Sequence, residues 1–261
     1  MRHLKLIAVF ARVCIQDTAA YRTDFLVHLV VALAHMGAEL VGIWIIFSNT
    51  RSLAGWNAYQ LLALLGVYRI MIGAITLFIA PNMRRVMEDI REGTLDFLLL
   101  TPLNNQFYAS FRNVVVWRLV DIALGIGLTA YACGKLGQSV GAMTIVGFVV
   151  LLSAGVAIIY SFWLILATCA FWFTRITNIE VVFWNVFEAG RYPVDIYRPW
   201  MRRGLTYLIP LAFLTTFPSA ALVGKAQTGN VSLAVVAAIV ALIASSIFWR
   251  IGLRRYSGAS A

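Results

Sequence analysis

The sequence predicts an all-α integral membrane protein with six transmembrane helices. Of its 261 residues, 61% are hydrophobic and 12% are charged, about half the charged fraction of a soluble domain. The apolar residues gather in blocks of about 20 or more, the length that crosses a hydrocarbon core. Those blocks are continuous rather than alternating, which selects helices over a closed barrel as the means of satisfying the backbone in lipid. No internal repeat is evident, so residues 1–261 read as one domain.

The formal charge of +10 does not indicate nucleic acid, because the basic residues sit at the ends of apolar spans. Cys14, Cys133 and Cys169 lack metal or redox spacing. Residues 1–24 lack the apolar core and small-residue cleavage site of a signal peptide. They carry Leu6, Ile7, Phe10, Val13 and Cys14 at helical spacing with Arg2, Lys5 and Arg12 for charge, the pattern of a helix lying in the membrane interface.

The first span covers residues 25–47 and the second 58–80, with a polar link over 48–57. Pro81-Asn82 ends the second span in this reading. Met83, Val86, Met87 and Ile90 then share one face of a surface helix, with Arg84, Arg85, Glu88, Asp89 and Glu92 off it. Gly93 suits the position just past its end. Thr94 is placed to cap a second short helix with Asp96 in its first turn, and Pro102 helps to stop it. The third span is 114–133, a Gly-rich turn follows over 134–141, and the fourth span is 142–173. The last is 231–251.

Residues 176–229 admit two topologies. In one, 207–223 is a full fifth span and 175–203 a cytoplasmic loop. In the other, 176–190 is a short fifth span and 196–224 a helical hairpin that enters the outer leaflet and returns. Both place the termini on one side. With that side inside, Arg2, Lys5, Arg12, Arg22, Arg84, Arg85, Arg91, Arg112, Arg250, Arg254 and Arg255 face only Arg51, Lys135 and Lys225 outside, so both termini are expected in the cytoplasm. The same rule draws Arg191, Arg198, Arg202 and Arg203 inside and favours the first topology. The prolines favour the second.

The stretch Arg91-Glu92-Gly93-Thr94-Leu95-Asp96-Phe97-Leu98-Leu99-Leu100-Thr101-Pro102 resembles the coupling segment of ABC-2 type permeases, and more narrowly that of the six-span DUF990 branch. Arg191-Tyr192-Pro193, then Ile209-Pro210-Leu211-Ala212-Phe213, Phe217-Pro218 and Leu222-Val223-Gly224 are similar to that family's extracellular re-entrant hairpin. The order of all elements agrees with the family, which sides with the hairpin topology. The resemblance implies a type V exporter-like fold in the bacterial inner membrane, with an N-terminal interfacial helix, a cytoplasmic coupling helix and an extracellular hairpin marked by Tyr192, Pro193, Pro210 and Pro218. It implies half of an exporter or flippase for hydrophobic or amphipathic substrates. Two permease chains, identical or related, would pair, and each would dock a cytoplasmic ABC ATPase subunit. The docking residues would be Arg91, Glu92, Gly93, Thr94, Leu95, Asp96, Leu98, Leu99 and Pro102.

ATP and magnesium would then belong to the partner. The only lysines here are Lys5, Lys135 and Lys225, and none has the glycine-rich setting of a phosphate-binding loop. No catalytic residue, cofactor or metal is expected in this chain. Leu95, Leu98 and Leu99 are expected to enter a partner's hydrophobic cleft, against the blander reading of a helix resting on the membrane.

Charges inside the spans are costly unless paired or hydrated. His28, His35 and Glu39 share a face of the first span, and Arg69 lies at similar depth in the second, so a Glu39–Arg69 pair is expected. It reads either as a polar lining for substrate or protons, or as a structural tie between neighbouring helices. Arg118 and Asp121 are spaced to pair on one helix face. Glu180 and Glu188 lie near either end of the fifth segment, which permits snorkelling, with a role towards cationic substrates as the other reading. Trp44, Trp56, Trp117, Trp172, Trp184 and Trp200 read as an interfacial belt. A proton-coupled carrier using the His28/His35/Glu39 face is the rival reading, although such carriers often show inverted repeats. A membrane enzyme would need clustered acids or a nucleophile with its base, which the sequence lacks.

Overall fold

The computed structural model describes residues 22–100, 104–137, 141–173, 177–208, 210–225 and 228–256. The expected interfacial helix over 1–24, apart from its last three residues, and Pro102 lie outside the described residues. Among them the chain is helical, with one isolated bridge between Leu53 and Trp56. The helices are α1 (Arg22–Asn49), α2 (Ala58–Glu92), α3 (Asp96–Leu99), α4 (Asn105–Phe111), α5 (Val116–Leu136), α6 (Ala142–Cys169), α7 (Thr177–Phe187), α8 (Pro199–Tyr207), α9 (Ala212–Leu222) and α10 (Thr228–Leu253). Five of them, α1, α2, α5, α6 and α10, are long and apolar enough to cross a membrane, and α8 with α9 forms a pair bent by 78°.

The second span does not end at Pro81. Helix α2 runs unbroken for 35 residues, roughly 50 Å at 1.5 Å per residue, and outreaches the ~30 Å hydrocarbon core. A proline inside a helix removes one amide and leaves the carbonyl four residues back without its donor. Here a π-helical turn at Ile75–Ile79 precedes Pro81, and the Leu77 carbonyl accepts instead from the Val115 amide at 2.8 Å. Fully buried Asn82 completes the repair. Its Nδ2 donates to the Phe78 and Asn113 carbonyls at 2.6 and 2.7 Å, and its Oδ1 accepts from the Asn113 amide at 2.9 Å. The loop entering α5 is thereby fastened to the middle of α2. The Met83 and Val86 face therefore packs into the protein core rather than onto a membrane surface.

Helices α2 and α5 meet backbone to backbone. A Cβ on Gly66 would lie 2.8 Å from the Gly125 carbonyl oxygen, and one on Gly125 would lie 2.6 Å from that of Gly66. Small residues permit this approach where lipid supplies no hydrophobic drive for association. Short α4 lies across α6 and α10, where Gln106 Nε2 donates to Tyr160 Oη at 3.2 Å and Ser246 Oγ at 3.0 Å.

Helix α7 and the 3₁₀ turn Glu188–Arg191 together reach about 24 Å, short of a full crossing. Phe183 and Phe187 are buried in an aromatic cluster with Trp163 and Tyr68. The stretch 207–223, expected in one topology as a fifth span, is not one straight helix, because the chain breaks at Pro210 between α8 and α9. Pro199 sits in the first turn of α8, where a missing amide costs nothing, whereas Pro218 lies within α9 directly after the π-helical turn Ala212–Thr216, as Pro81 does in α2. Helix α9 is buried against α6: a Cβ on Gly155 would come within 2.9 Å of the Phe213 carbonyl oxygen. Its Thr215 and Ser219 hydroxyls donate to carbonyls one turn back, as buried hydroxyls must. Helix α8 stays at the surface, with Trp200 and Tyr207 exposed. Trp44 and Trp172 are exposed as an interfacial belt requires, but Trp56 is buried.

Candidate functional site: coupling segment and intramembrane charges

The segment after α2 is organised by Asp89. Gly93 adopts the left-handed conformation, φ 72°, which glycine enters without a steric penalty. The chain turns there, and the Gly93, Thr94 and Leu95 amides all donate to the Asp89 carbonyl. The Asp89 carboxylate is buried. It receives Arg112 Nη2 at 2.6 Å, Arg85 Nε at 3.2 Å and the Thr94 hydroxyl at 3.3 Å. Thr94 thus binds back to Asp89 and does not cap α3, whose first turn holds Asp96 as expected. Two cations and a hydroxyl on the buried carboxylate, with three amides on the same residue's carbonyl, make a rigid corner.

The burial of this segment corrects the expected docking face. Leu95 and Leu98 are 0% and 2% exposed and belong to this chain's own core. The turn at Gly93 folds α3 back, so the face carrying positions 95 and 98 points inward. Leu99 is half-buried against the same core, while Arg91 and Glu92 are exposed and Leu100 is 81% exposed. Among the described residues of the segment, Arg91, Glu92 and Leu100 are therefore the ones that face outward. Tyr256, beyond α10, closes over the other side beside Leu95 and Asp96, where burial and the Asp96 carboxylate push its phenol above the usual range.

Inside the membrane the charges form a chain of alternating sign. Arg69 Nη2 and Nε lie 2.7 and 2.9 Å from Glu39 Oε2, and its Nη1 lies 3.4 Å from Asp121 Oδ1. Arg118 Nη1 stands 3.5 Å from the other Asp121 oxygen. On the far side, Arg191 Nε stands 3.6 Å from Glu39 Oε1 and donates to Tyr68 Oη at 3.4 Å, and Arg191 Nη2 lies 3.4 Å from Glu188. Three arginines and three acids thus link α1, α2, α5 and the turn after α7. Arg191 and Tyr68 were not among the expected participants. Glu188 is three residues from Arg191, but Glu39 and Tyr68 lie far from it in sequence, and no local spacing reveals those contacts.

The two histidines stand beside this chain rather than in it. His28 stacks on Trp117 with ring centroids 5.2 Å apart. With His35, Arg69, Arg118 and Asp121 it lines a cavity of about 650 Å³. A second cavity of about 450 Å³ is lined by His35, Glu39, Arg191 and Tyr192. Glu180 does not simply snorkel. It pairs with Arg84 and accepts from Trp184 Nε1 at 3.2 Å, tying α7 to the lower part of α2. Tyr192 and Pro193 turn the chain out of the 3₁₀ turn, and the Val194 amide donates to Thr216 Oγ1 at 3.2 Å.

Compared with known proteins, the chain matches the family model described as ABC-2 family transporter protein over residues 33–260. No curated protein matches it.

Proposed function

The chain belongs to the ABC-2 family of transporter proteins, and from that premise we propose that it is the permease of an ATP-driven exporter of hydrophobic or amphipathic molecules. ATP is hydrolysed by a separate cytoplasmic subunit, and a second permease chain completes the pathway. Both termini face the cytoplasm of a bacterial inner membrane. The observation that carries this reading is helix α2. One continuous element bears the Asp89 corner at one end and Arg69 within the membrane. A push on the exposed Arg91, Glu92 and Leu100 surface passes through the Asp89 corner into α2. From α2 it reaches the Glu39–Arg69–Asp121 contacts, which have discrete partners to exchange, and both cavities border them. ATP-driven closure of the partner then becomes a change of helix arrangement around a polar path.

Crosslinking followed by purification from native membranes tests this. A P-loop ATPase is expected to come with the chain, and the Leu100→Asp and Arg91→Glu variants should lose it while keeping the permease folded. Leu95 and Leu98 are unsuitable probes, because an aspartate at either would disrupt the permease core. If no ATPase is recovered under conditions that preserve a known ABC complex, and transport follows the proton gradient, the His35 and Glu39 face becomes a proton path and the ATP-driven reading fails.

A further inference from the structure

At the end of α2 away from the coupling segment lies a cavity of about 800 Å³. Its lining includes Trp56, Tyr197, Arg202, Arg203, Tyr207 and Lys225, and the acid facing these three cations is Asp195. Lys225 Nζ donates to the Gly55 carbonyl and sits 4.7 Å from the Trp56 ring centroid. These contacts place the cavity beside the loop that begins α2, across the membrane from Asp89. Arg202 Nη2 lies 2.9 Å from Asp195 Oδ1, and Trp56 Nε1 donates to Asp195 Oδ2 at 3.3 Å. Among the described residues Arg203 has no ion-pair partner.

This arrangement runs against the charge rule for membrane proteins. Cations should collect on the cytoplasmic side, yet Arg198, Arg202, Arg203 and Lys225 collect on the other. One acid does not balance them, and a cleft lined by one sign of charge concentrates the opposite sign. The exposed aromatics Trp200 and Tyr207 on α8 are suited to the lipid–water boundary. The cavity exceeds what a bare oxyanion fills and suits a headgroup with the start of its tail. Guanidinium groups match phosphate oxygens in pairs.

We propose that this cavity binds the oxyanion headgroup of an amphiphile, phosphate above all, with its tail leaving along α8. The ligand is either an anionic lipid of the bilayer or the exported molecule itself. The placement on the outer face rests on the permease reading; the binding chemistry does not.

The test uses the full-length chain in neutral detergent. Native mass spectrometry identifies any phospholipid that remains bound. Dodecyl phosphate, dodecyl phosphocholine and inorganic phosphate are then titrated separately. A retained anionic phospholipid assigns the site to the bilayer. Binding of dodecyl phosphate with no retained phospholipid assigns it to the exported amphiphile. In either case the anionic amphiphile should bind about tenfold more tightly than its zwitterionic counterpart, and R202Q/R203Q should remove most of that preference. R202K/R203K should retain part of it, and D195N, which frees Arg202, should strengthen it. Arg202 and Arg203 are exposed, and an unchanged melting temperature will show that the variants fold. Equal binding of the two dodecyl compounds, a preference untouched by R202Q/R203Q, or inorganic phosphate binding as well as dodecyl phosphate would each overturn the proposal. A chain that recovers its ATPase but shows no preference loses this site alone, and one that shows the preference without an ATPase loses only the transport reading.

Discussion

Arg69 is buried in the membrane between two acids, Glu39 and Asp121. Removing Arg69 leaves these buried acids only their longer contacts to Arg191 and Arg118, at 3.6 and 3.5 Å, and an under-compensated buried charge costs more than the pair contributed. Arg69→Ala should therefore lower unfolding stability in detergent by about 3–5 kcal/mol, and Glu39→Ala should also be harmful. The double variant should be less damaging than the sum of the two, and strict additivity would show that the pair does not couple. Asp89 calls for a different experiment. Asp89→Asn keeps the size of the side chain but weakens its hold on Arg85 and Arg112. The expected outcome is a folded permease that still recovers its ATPase, with transport per ATP hydrolysed at least several-fold lower; unchanged coupling would remove Asp89 from the transmission path. Glu39 and Arg69 were legible in the sequence because charges are rare in apolar spans. Arg191 and Asp89 were not, because each has a local partner, Glu188 and Arg85, and only folding adds the distant ones, Glu39 and Arg112.

At the scale of the helix, the α2–α5 contact depends on the absence of side chains at Gly66 and Gly125. A Cβ at Gly66 would lie 2.2 Å from Thr129 Oγ1 and 2.8 Å from a backbone carbonyl. The hydroxyl can rotate away but the backbone cannot, so Gly66→Ala should cost about 1–3 kcal/mol by forcing the helices apart. Gly127 has nothing near its would-be Cβ, so Gly127→Ala is the matched control and should leave the melting temperature nearly unchanged. Helix α2 itself shows how a local rule can mislead. Proline predicts a helix end when only neighbours in sequence are considered. Here Val115 supplies the Leu77 carbonyl with a donor from 38 positions away, and the helix continues. Of the hairpin prolines, Pro199 begins α8 and Pro210 lies at the break before α9, as the local rule expects, while Pro218 follows a π-helical turn inside α9, as Pro81 does in α2.

Across the whole molecule, the coupling corner and the basic cavity mark opposite ends of one long helix. In a background with Cys14, Cys133 and Cys169 changed to Ser, a membrane-impermeant thiol reagent added to intact cells should label Arg203→Cys and spare Arg91→Cys. The reverse pattern would invert the orientation, and labelling of neither position 203 nor 91 from outside would return residues 198–203 to the cytoplasm, as the charge rule alone expects. The all-α membrane class and the approximate positions of the five long helices followed from composition and the lengths of the apolar runs. Both are local properties: a stretch of about 20 apolar residues must become a helix in lipid wherever its neighbours lie. The family was recognisable for the same reason, because the resemblance rested on a short stretch contiguous in the chain, residues 91–102. Folding alone decided that Leu95 and Leu98 face inward while Leu100 faces out, that Pro81 lies within a helix, and that α8 and α9 meet at 78° rather than forming one straight helix. It also brought Arg69 and Arg191 to Glu39, Arg69 to Asp121 and Arg112 to Asp89. Each of these depends on a donor, a charge or a packing surface brought from a distant part of the chain, and spacing along the sequence carries no record of such partners.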